Sequence, residues 1–195
     1  YMSLLFRPDI APMSASMTTL LAGLSVCKSI NALYGLDVAI KWPNDIVAGS
    51  KKISGILTEM SSEIDMVNYV VIGIGINISQ KEFPEELIHM ATSVEAYKPG
   101  IRVDKHQLIV DIVSRLNAYM KTFEETESLG FVKEDYEANC INTSGELRIE
   151  AGVKSFTGIG KGITEKGGLL VENESGETIE VNSGEVSVRG LYGYV

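Results

Sequence analysis

Apolar and polar positions along this chain follow two main rhythms, and each predicts a different kind of element. Between residues 14 and 34, Met17, Leu20, Leu21, Leu24, Cys27, Ile30 and Leu33 recur at intervals of three and four, one face of an α-helix, and Gly35 stands where such a helix would stop. The same rhythm returns over 105–124, carried by Leu108, Ile109, Ile112, Val113, Leu116, Tyr119, Met120 and Phe123, with Asp104 placed to cap the helix. A shorter helix is predicted over 129–140. Residues 2–6, 37–42, 52–60 and 66–78 read as strands, and 80–100 as a loop with short helical turns. After Ile141 the texture changes to short alternating runs punctuated by Gly145, Gly152, Gly158, Gly167-Gly168, Gly176 and Gly184. That pattern predicts a small barrel or sandwich, with a boundary at 141–145.

Two of the strand regions carry unusual chemistry. Lys41-Trp42-Pro43-Asn44-Asp45 ends a strand with a proline, which removes a backbone donor, and then presents two oxygen-bearing side chains of the kind that suit Mg²⁺. Ala48-Gly49-Ser50-Lys51 follows as a tight turn. With Gly49 and Ser50 as its central pair, Ser54 is expected to face Asp45 and Val47 to face Lys52. Lys52 then lies diagonal to Asp45 on one face, roughly 7–8 Å away, a spacing at which the pair could share a metal-bound phosphate. An ordinary hairpin with a surface lysine fits the same spacing.

From Val71 to Ser79 alternation is strict. Ile72, Ile74, Ile76 and Ile78 form a core face; Gly73, Gly75 and Asn77 point the other way. Glycine weakens a strand interior and marks a close approach by a ligand or by another part of the chain. Either a flat ligand or a packed helix would explain the bare face. No third glycine opens a helix, so this is not a dinucleotide fingerprint. Gly158-Ile159-Gly160-Lys161-Gly162 reads as a strand and turn, not a phosphate loop.

Composition narrows the field. The chain has 195 residues, 45% hydrophobic, enough for one domain or one plus a small second. A formal net charge of −9 argues against broad binding to nucleic acid or to an anionic membrane. No apolar run approaches the roughly 18 residues of a spanning helix. The cysteines, Cys27 and Cys140, form no CxxC and read as reduced thiols inside helices of a cytoplasmic protein. His89 and His106 have no metal-ligand partners at useful spacing.

Taken together, Lys41-Trp42-Pro43-Asn44-Asp45, Lys51-Lys52-Ile53-Ser54-Gly55-Ile56-Leu57 and Val71-Ile72-Gly73-Ile74-Gly75-Ile76-Asn77 resemble the central motif of the biotin protein ligases. Phe83-Pro84, Ala91-Thr92-Ser93 and Gly184-Glu185-Val186-Ser187 extend the likeness over essentially the whole chain. The resemblance implies an α+β fold, a mixed sheet with helices akin to the class II aminoacyl-tRNA synthetases, followed by a small SH3-like β-barrel. It divides the chain into a catalytic domain, 1–142, and an SH3-like domain, 143–195. It implies activation of biotin with ATP and Mg²⁺ to biotinyl-adenylate, then transfer to a lysine of a biotin carboxyl carrier domain. It also admits a homodimer.

By motif, Lys52 resembles the catalytic lysine that meets the biotin carboxylate and the α-phosphate. Asp45, with Asn44 beside it, resembles part of the metal and phosphate site. Gly55 and Leu57 resemble pocket-lining residues, and Gly73 and Gly75 the bare surface under the nucleotide. Asn77 resembles the amide that meets metal or adenylate, and Trp42 a residue that shapes the pocket. The family's glycine- and arginine-rich phosphate loop, its Ser/Thr-rich biotin stretch and the DNA-binding domain of some members have no counterpart from Tyr1 onward. With a chain that opens inside a strand, this leads to the expectation that the catalytic domain is N-terminally incomplete. A truncated or degenerate member that binds without turnover, and a lipoate or octanoate transferase of the same core fold, stay open, although the Lys41–Asp45 segment favours biotin.

Overall fold

The computed structural model describes residues 1–151, 154–183 and 187–190; Gly184, Glu185 and Val186 of the motif near the C-terminus, and Gly152, lie outside the described residues. Gly35 stops the first long helix as its position predicts. Helix α1 runs Met17–Tyr34, and Gly35 takes φ 57°, returning its N–H to the Asn31 carbonyl. The helix starts later than the periodicity predicts because Pro12–Ser14 form a separate 3₁₀ turn.

After the one-turn helix α2 (Val94–Tyr97) comes α3 (Lys105–Thr126), capped by the Asp104 carboxylate, which accepts from the His106 and Gln107 N–H groups. Helix α4 covers only Lys133–Ala138, shorter than the predicted 129–140. The Leu129 N–H is committed to the Glu165 carbonyl, and Cys140 leaves the helical path to form a parallel bridge with Ile40. Cys140 is therefore buried outside a helix, whereas Cys27 sits inside α1 as expected.

The first sheet joins β1 (Met2–Phe6), β2 (Val38–Lys41), β3 (Asp45–Ala48), β4 (Lys51–Ser62) and β5 (Val67–Ile76) in the order β1-β5-β4-β3-β2. Every ladder in it is antiparallel; parallel pairing is confined to the bridges Ile40–Cys140 and Lys52–Ala91. One face is buried through Val70, Ile72 and Ile74 of β5, with Ile53 and Ile56 of β4. Helix α1 packs there closely enough that the Ile56 Cδ1 atom stands 3.7 Å from where a Cβ would be on Gly23.

The second sheet, in the order β10-β6-β7-β8-β9, comprises β6 (Gly145–Ala151), β7 (Lys154–Ile163), β8 (Leu169–Asn173), β9 (Thr178–Val181) and β10 (Ser187–Gly190), again antiparallel. Gly158 to Gly162 fall within β7 and form a strand, as read. The two sheets meet at Trp42, whose backbone N–H donates to the Asn142 side chain at 2.7 Å and whose indole N–H donates to the Gly167 carbonyl at 3.0 Å.

Candidate functional site

The tight turn at Gly49-Ser50 forms, with Ala48 opposite Lys51 and Val47 opposite Lys52. Beyond it a β-bulge intervenes. Ile46 pairs with Ser54 and Asp45 with Gly55, leaving Ile53 as the extra residue on β4, buried in the core. The expectation that Ser54 faces Asp45 is thus corrected. A regular hairpin carries its register through unchanged, but burying Ile53 costs one residue of offset.

Lys52 stays opposite Val47 and so diagonal to Asp45, as expected. The charged groups themselves close the roughly 7–8 Å of that diagonal, and the ammonium lies 2.5 Å from the Asp45 carboxylate as an ion pair. Gly55 makes the approach possible, since a Cβ there would stand 2.9 Å from the Lys52 Cε and Nζ atoms and 3.5 Å from the Asp45 Oδ1. A carboxylate fixing a partly exposed lysine preorganises one positive charge. That is how a site stabilises an anion at little cost in reorganisation.

Beside this pair the sheet offers bare backbone. Gly55 is paired directly with Gly75, and Gly73 stands between Ser3 and Leu57. Around Gly73 a Cβ would meet only the Leu57 carbonyl within 4 Å, and at Gly75 its nearest neighbours would be the exposed ring of Tyr1. The reading of a helix packed on the glycines is not what forms: α1 lies on the opposite, isoleucine face.

The glycine face opens into a cavity of about 760 Å³ that brings together Lys52, Gly55, Gly73, Gly75 and Asn77. Its far wall is the 80–91 segment, through Phe83, Leu87 and Met90. That segment is held against Lys52 itself: the Lys52 N–H donates to the Met90 carbonyl and the Lys52 carbonyl accepts from the Thr92 N–H, at 2.8 and 3.0 Å. Asn77 secures its other side by donating from Nδ2 to the Thr92 carbonyl at 3.2 Å, while the Asn77 carbonyl accepts from the Val94 N–H.

Other predicted residues lie around the cavity without lining it. The Asn44 side chain donates to the Ile56 carbonyl at 3.0 Å, and the Asn44 carbonyl accepts from the Ile56 N–H at 2.9 Å, so its amide holds the strand end. Asp45 reaches the cavity through Lys52. Leu57 is exposed, farther along the glycine face. Trp42 is buried at the junction of the sheets, only 2% exposed. Leu87 and Met90 escaped the sequence reading. Their signal was the apolar cluster Leu87, Ile88 and Met90, after Phe83, in a loop otherwise rich in charge.

Elsewhere the chemistry is quiet. Burial pushes the Cys27 and Cys140 thiols up to about 12, leaving them protonated and poor nucleophiles. Among the described residues no group of three or more His, Cys, Asp or Glu gathers to hold a metal by itself, and no helix is long and apolar enough to cross a membrane.

Known proteins resemble this chain in sequence and fold. The model of the Biotin/lipoate A/B protein ligase family matches residues 1–77, and that of the Biotin protein ligase C terminal domain matches 145–189. A protein named Bifunctional ligase/repressor BirA from Bacillus spizizenii is 38% identical over 180 residues, covering 90% of this chain and 54% of that protein. A Biotin--[acetyl-CoA-carboxylase] ligase of Mycobacterium tuberculosis is 28% identical over 183 residues, covering 91% of this chain and 64% of that one. The structure of the biotin protein ligase from Aquifex aeolicus in complex with biotin and ATP superposes with a TM-score of 0.79 at 31% identity, covering 96% of this chain and 78% of the other. The chain spans about half the length of the first curated relatives it matches.

Proposed function

Since the chain belongs to the biotin protein ligase family, we propose that it carries part of the active site of an enzyme that activates biotin with ATP and transfers it to a lysine of a biotin carboxyl carrier domain. Residues 1–142 form the catalytic part on this reading and 143–195 an SH3-like domain. The observation that carries the reading is the convergence of Lys52, already ion-paired to Asp45, with Gly55, Gly73, Gly75 and Asn77 on one cavity. The family model shared with lipoate enzymes leaves the acyl group open; the match of the C-terminal part to a biotin ligase model supports biotin.

In the first step an oxygen of the biotin carboxylate attacks the α-phosphorus of ATP and pyrophosphate leaves. Lys52 lies where one ammonium can neutralise both the carboxylate and the α-phosphate, lowering the repulsion between two anions that must meet. Asp45 holds that ammonium in place. The bare strands at Gly55, Gly73 and Gly75 let flat groups lie against backbone, and the apolar side chains of the 80–91 segment exclude water from the mixed anhydride. In the second step the carrier amine attacks the acyl carbon and AMP leaves.

Mg²⁺ binds through one or two carboxylates and the phosphates of its nucleotide. A single carboxylate fits that donor set; Asp45, just outside the cavity lining and paired with Lys52, would hold the ion by sharing its carboxylate between the metal and that ammonium, with Asn77 as a neutral oxygen donor. When bound, the ion would neutralise charge on the leaving pyrophosphate. The composition and chemistry fit a cytoplasmic enzyme, and sedimentation of the full protein reads out the homodimer that the resemblance admits.

The test is biotin-dependent pyrophosphate exchange by the full-length protein. Exchange should require biotin, and Lys52→Ala should lower it about 10²-fold or more, the usual effect of removing one preorganised contact to a developing anion. Equal exchange with and without biotin ends the reading. A loss below about threefold would make Lys52 a solvated bystander.

A further inference from the structure

Trp42 is the only tryptophan of the chain, and it stands three residues before Asp45 without touching the cavity. It opens the hairpin loop Trp42-Pro43-Asn44, which Lys41 and Asp45 close as a strand pair. Each end of that loop is tied differently. Asn44 is bonded to Ile56 of β4 through both its side chain and its carbonyl, inside the first sheet. Trp42 is bonded to residues beyond α4: its backbone N–H to the Asn142 Oδ1 and its indole N–H to the Gly167 carbonyl, with Ile40, two residues earlier, donating to the Asn139 carbonyl at 2.7 Å.

Gly167 sits in the turn between β7 and β8, and that turn is itself a fixed body. Gly167 is buried with φ 86°, and a Cβ on it would meet Leu20 of α1 at 3.2 Å and Leu129 at 3.3 Å. The Glu165 carbonyl accepts from the Leu129 N–H, and the Lys166 ammonium donates to the Glu127 carbonyl. A rigid turn of the second sheet thus grips one end of the loop whose other end carries the carboxylate that orients Lys52.

We infer that Trp42 is a positioning residue, through which the β7–β8 turn of the second sheet sets the place of the Lys52–Asp45 pair. The inference rests on the ligase reading above. The second sheet on this view contributes to catalysis without a side chain in the cavity, because a loop anchored at one end only would let Asp45 and Lys52 wander. Small displacements of that kind cost rate out of proportion to their size.

The experiment uses the full-length protein and two variants. Trp42→Phe keeps an aromatic ring at the junction but removes the five-membered ring of the indole, and with it the N–H that binds Gly167. Gly167→Ala leaves Trp42 intact and disturbs the turn, by crowding Leu20 and Leu129 and by disfavouring the positive φ. In biotin-dependent pyrophosphate exchange both should lower kcat about tenfold with KM for biotin within about twofold, since the cavity walls are untouched. In Gly167→Ala the emission of the single tryptophan should shift to the red as its surroundings loosen. A third variant, Val171→Ala in the core of the second sheet, controls for stability. Assayed well below its melting temperature it should keep wild-type kcat even though it melts lower. Wild-type kcat in both Trp42→Phe and Gly167→Ala overturns the inference, as does a kcat loss in Val171→Ala equal to theirs. If Trp42→Phe does not fold, Gly167→Ala decides alone. A wild-type protein without biotin-dependent exchange overturns the ligase reading and takes this inference with it.

Discussion

A Cβ added at Gly73 in the first sheet would meet only the Leu57 carbonyl, at 3.5 Å, and one at Gly75 would press on the exposed ring of Tyr1. In the second sheet a Cβ at Gly158 would lie 2.5 Å from the Glu172 carbonyl, and one at Gly160 only 1.9 Å from that of Asn142. Both sheets are glycine-rich, both place their glycines inside strands, and in the sequence the two sets look alike. Those of the second sheet let backbone approach backbone, so their missing side chains are already used up in packing. Those of the first leave a surface covered in the described chain by movable side chains alone, the Lys52 ammonium at Gly55 and the exposed ring of Tyr1 at Gly75, with Gly73 open. A glycine's meaning is therefore decided by what stands opposite it, which is a property of the fold and not of the residue.

The comparison breaks most easily at Gly160. Alanine there would drive a methyl into the Asn142 carbonyl, a backbone atom that cannot step aside, in the segment that leads into the second sheet. The variant should lose about 3 kcal/mol or more, at the upper end of overpacking costs, seen as a lower denaturant midpoint. A midpoint equal to wild type would mean that the close approach is absent in solution and that the two sets of glycines do not differ.

Gly75→Val should behave in the opposite way. Valine suits a strand, and the atoms in its path belong to the ring of Tyr1, which is fully exposed and free to turn aside. Melting should stay within about 2 °C of wild type, which for a chain of this size is under about 1 kcal/mol. Calorimetric titration with a non-hydrolysable biotinyl-adenylate analogue should show no binding, because the side chain occupies the cavity floor. Wild-type affinity would remove the ligand from this face outright. Lost binding with a large drop in melting temperature would show that the face is packed against something after all.

How far the sequence carries this far depends on the length scale of the pattern. The long helices, the Gly35 stop, the Asp104 cap and the isoleucine face of β5 are local periodicities, and they are readable without any knowledge of neighbours. The cross-strand partner of a glycine is not. That Gly55 would face Gly75, joining two bare strands into one surface, depends on the β4–β5 register, which carries an irregularity of its own at Ser61/Ser62; the bulge at Ile53 decides instead that Gly55, and not Ser54, meets Asp45. The Lys52–Asp45 ion pair is likewise hidden, because it forms in the space left by the missing side chain of Gly55. Trp42 shows the limit from the other side. The motif that it belongs to marks the site, yet its own side chain serves a contact with Gly167, 125 positions along the chain. The apolar wall of Leu87 and Met90 was missed for a related reason: its residues matter only because the 90–92 backbone pairs with Lys52.

The smallest expected effect is at Gly73, and it is the sharpest test of the open face. With only the Leu57 carbonyl within 4 Å, and that at an ordinary contact distance, alanine meets no obstacle from the described chain. It also removes the extra backbone freedom that a glycine must surrender on folding, so Gly73→Ala should raise stability by about 0.4–1 kcal/mol. The added methyl projects into the cavity. It should weaken substrate binding by about tenfold, the lower end of what one methylene-sized group does in a pocket, and appear as a raised KM with kcat unchanged. The two signs together identify an unfilled ligand surface: stability up, affinity down. A fall in melting temperature would place a packed group over Gly73, and the distinction between the glycines of the two sheets would then fail at its most exposed point.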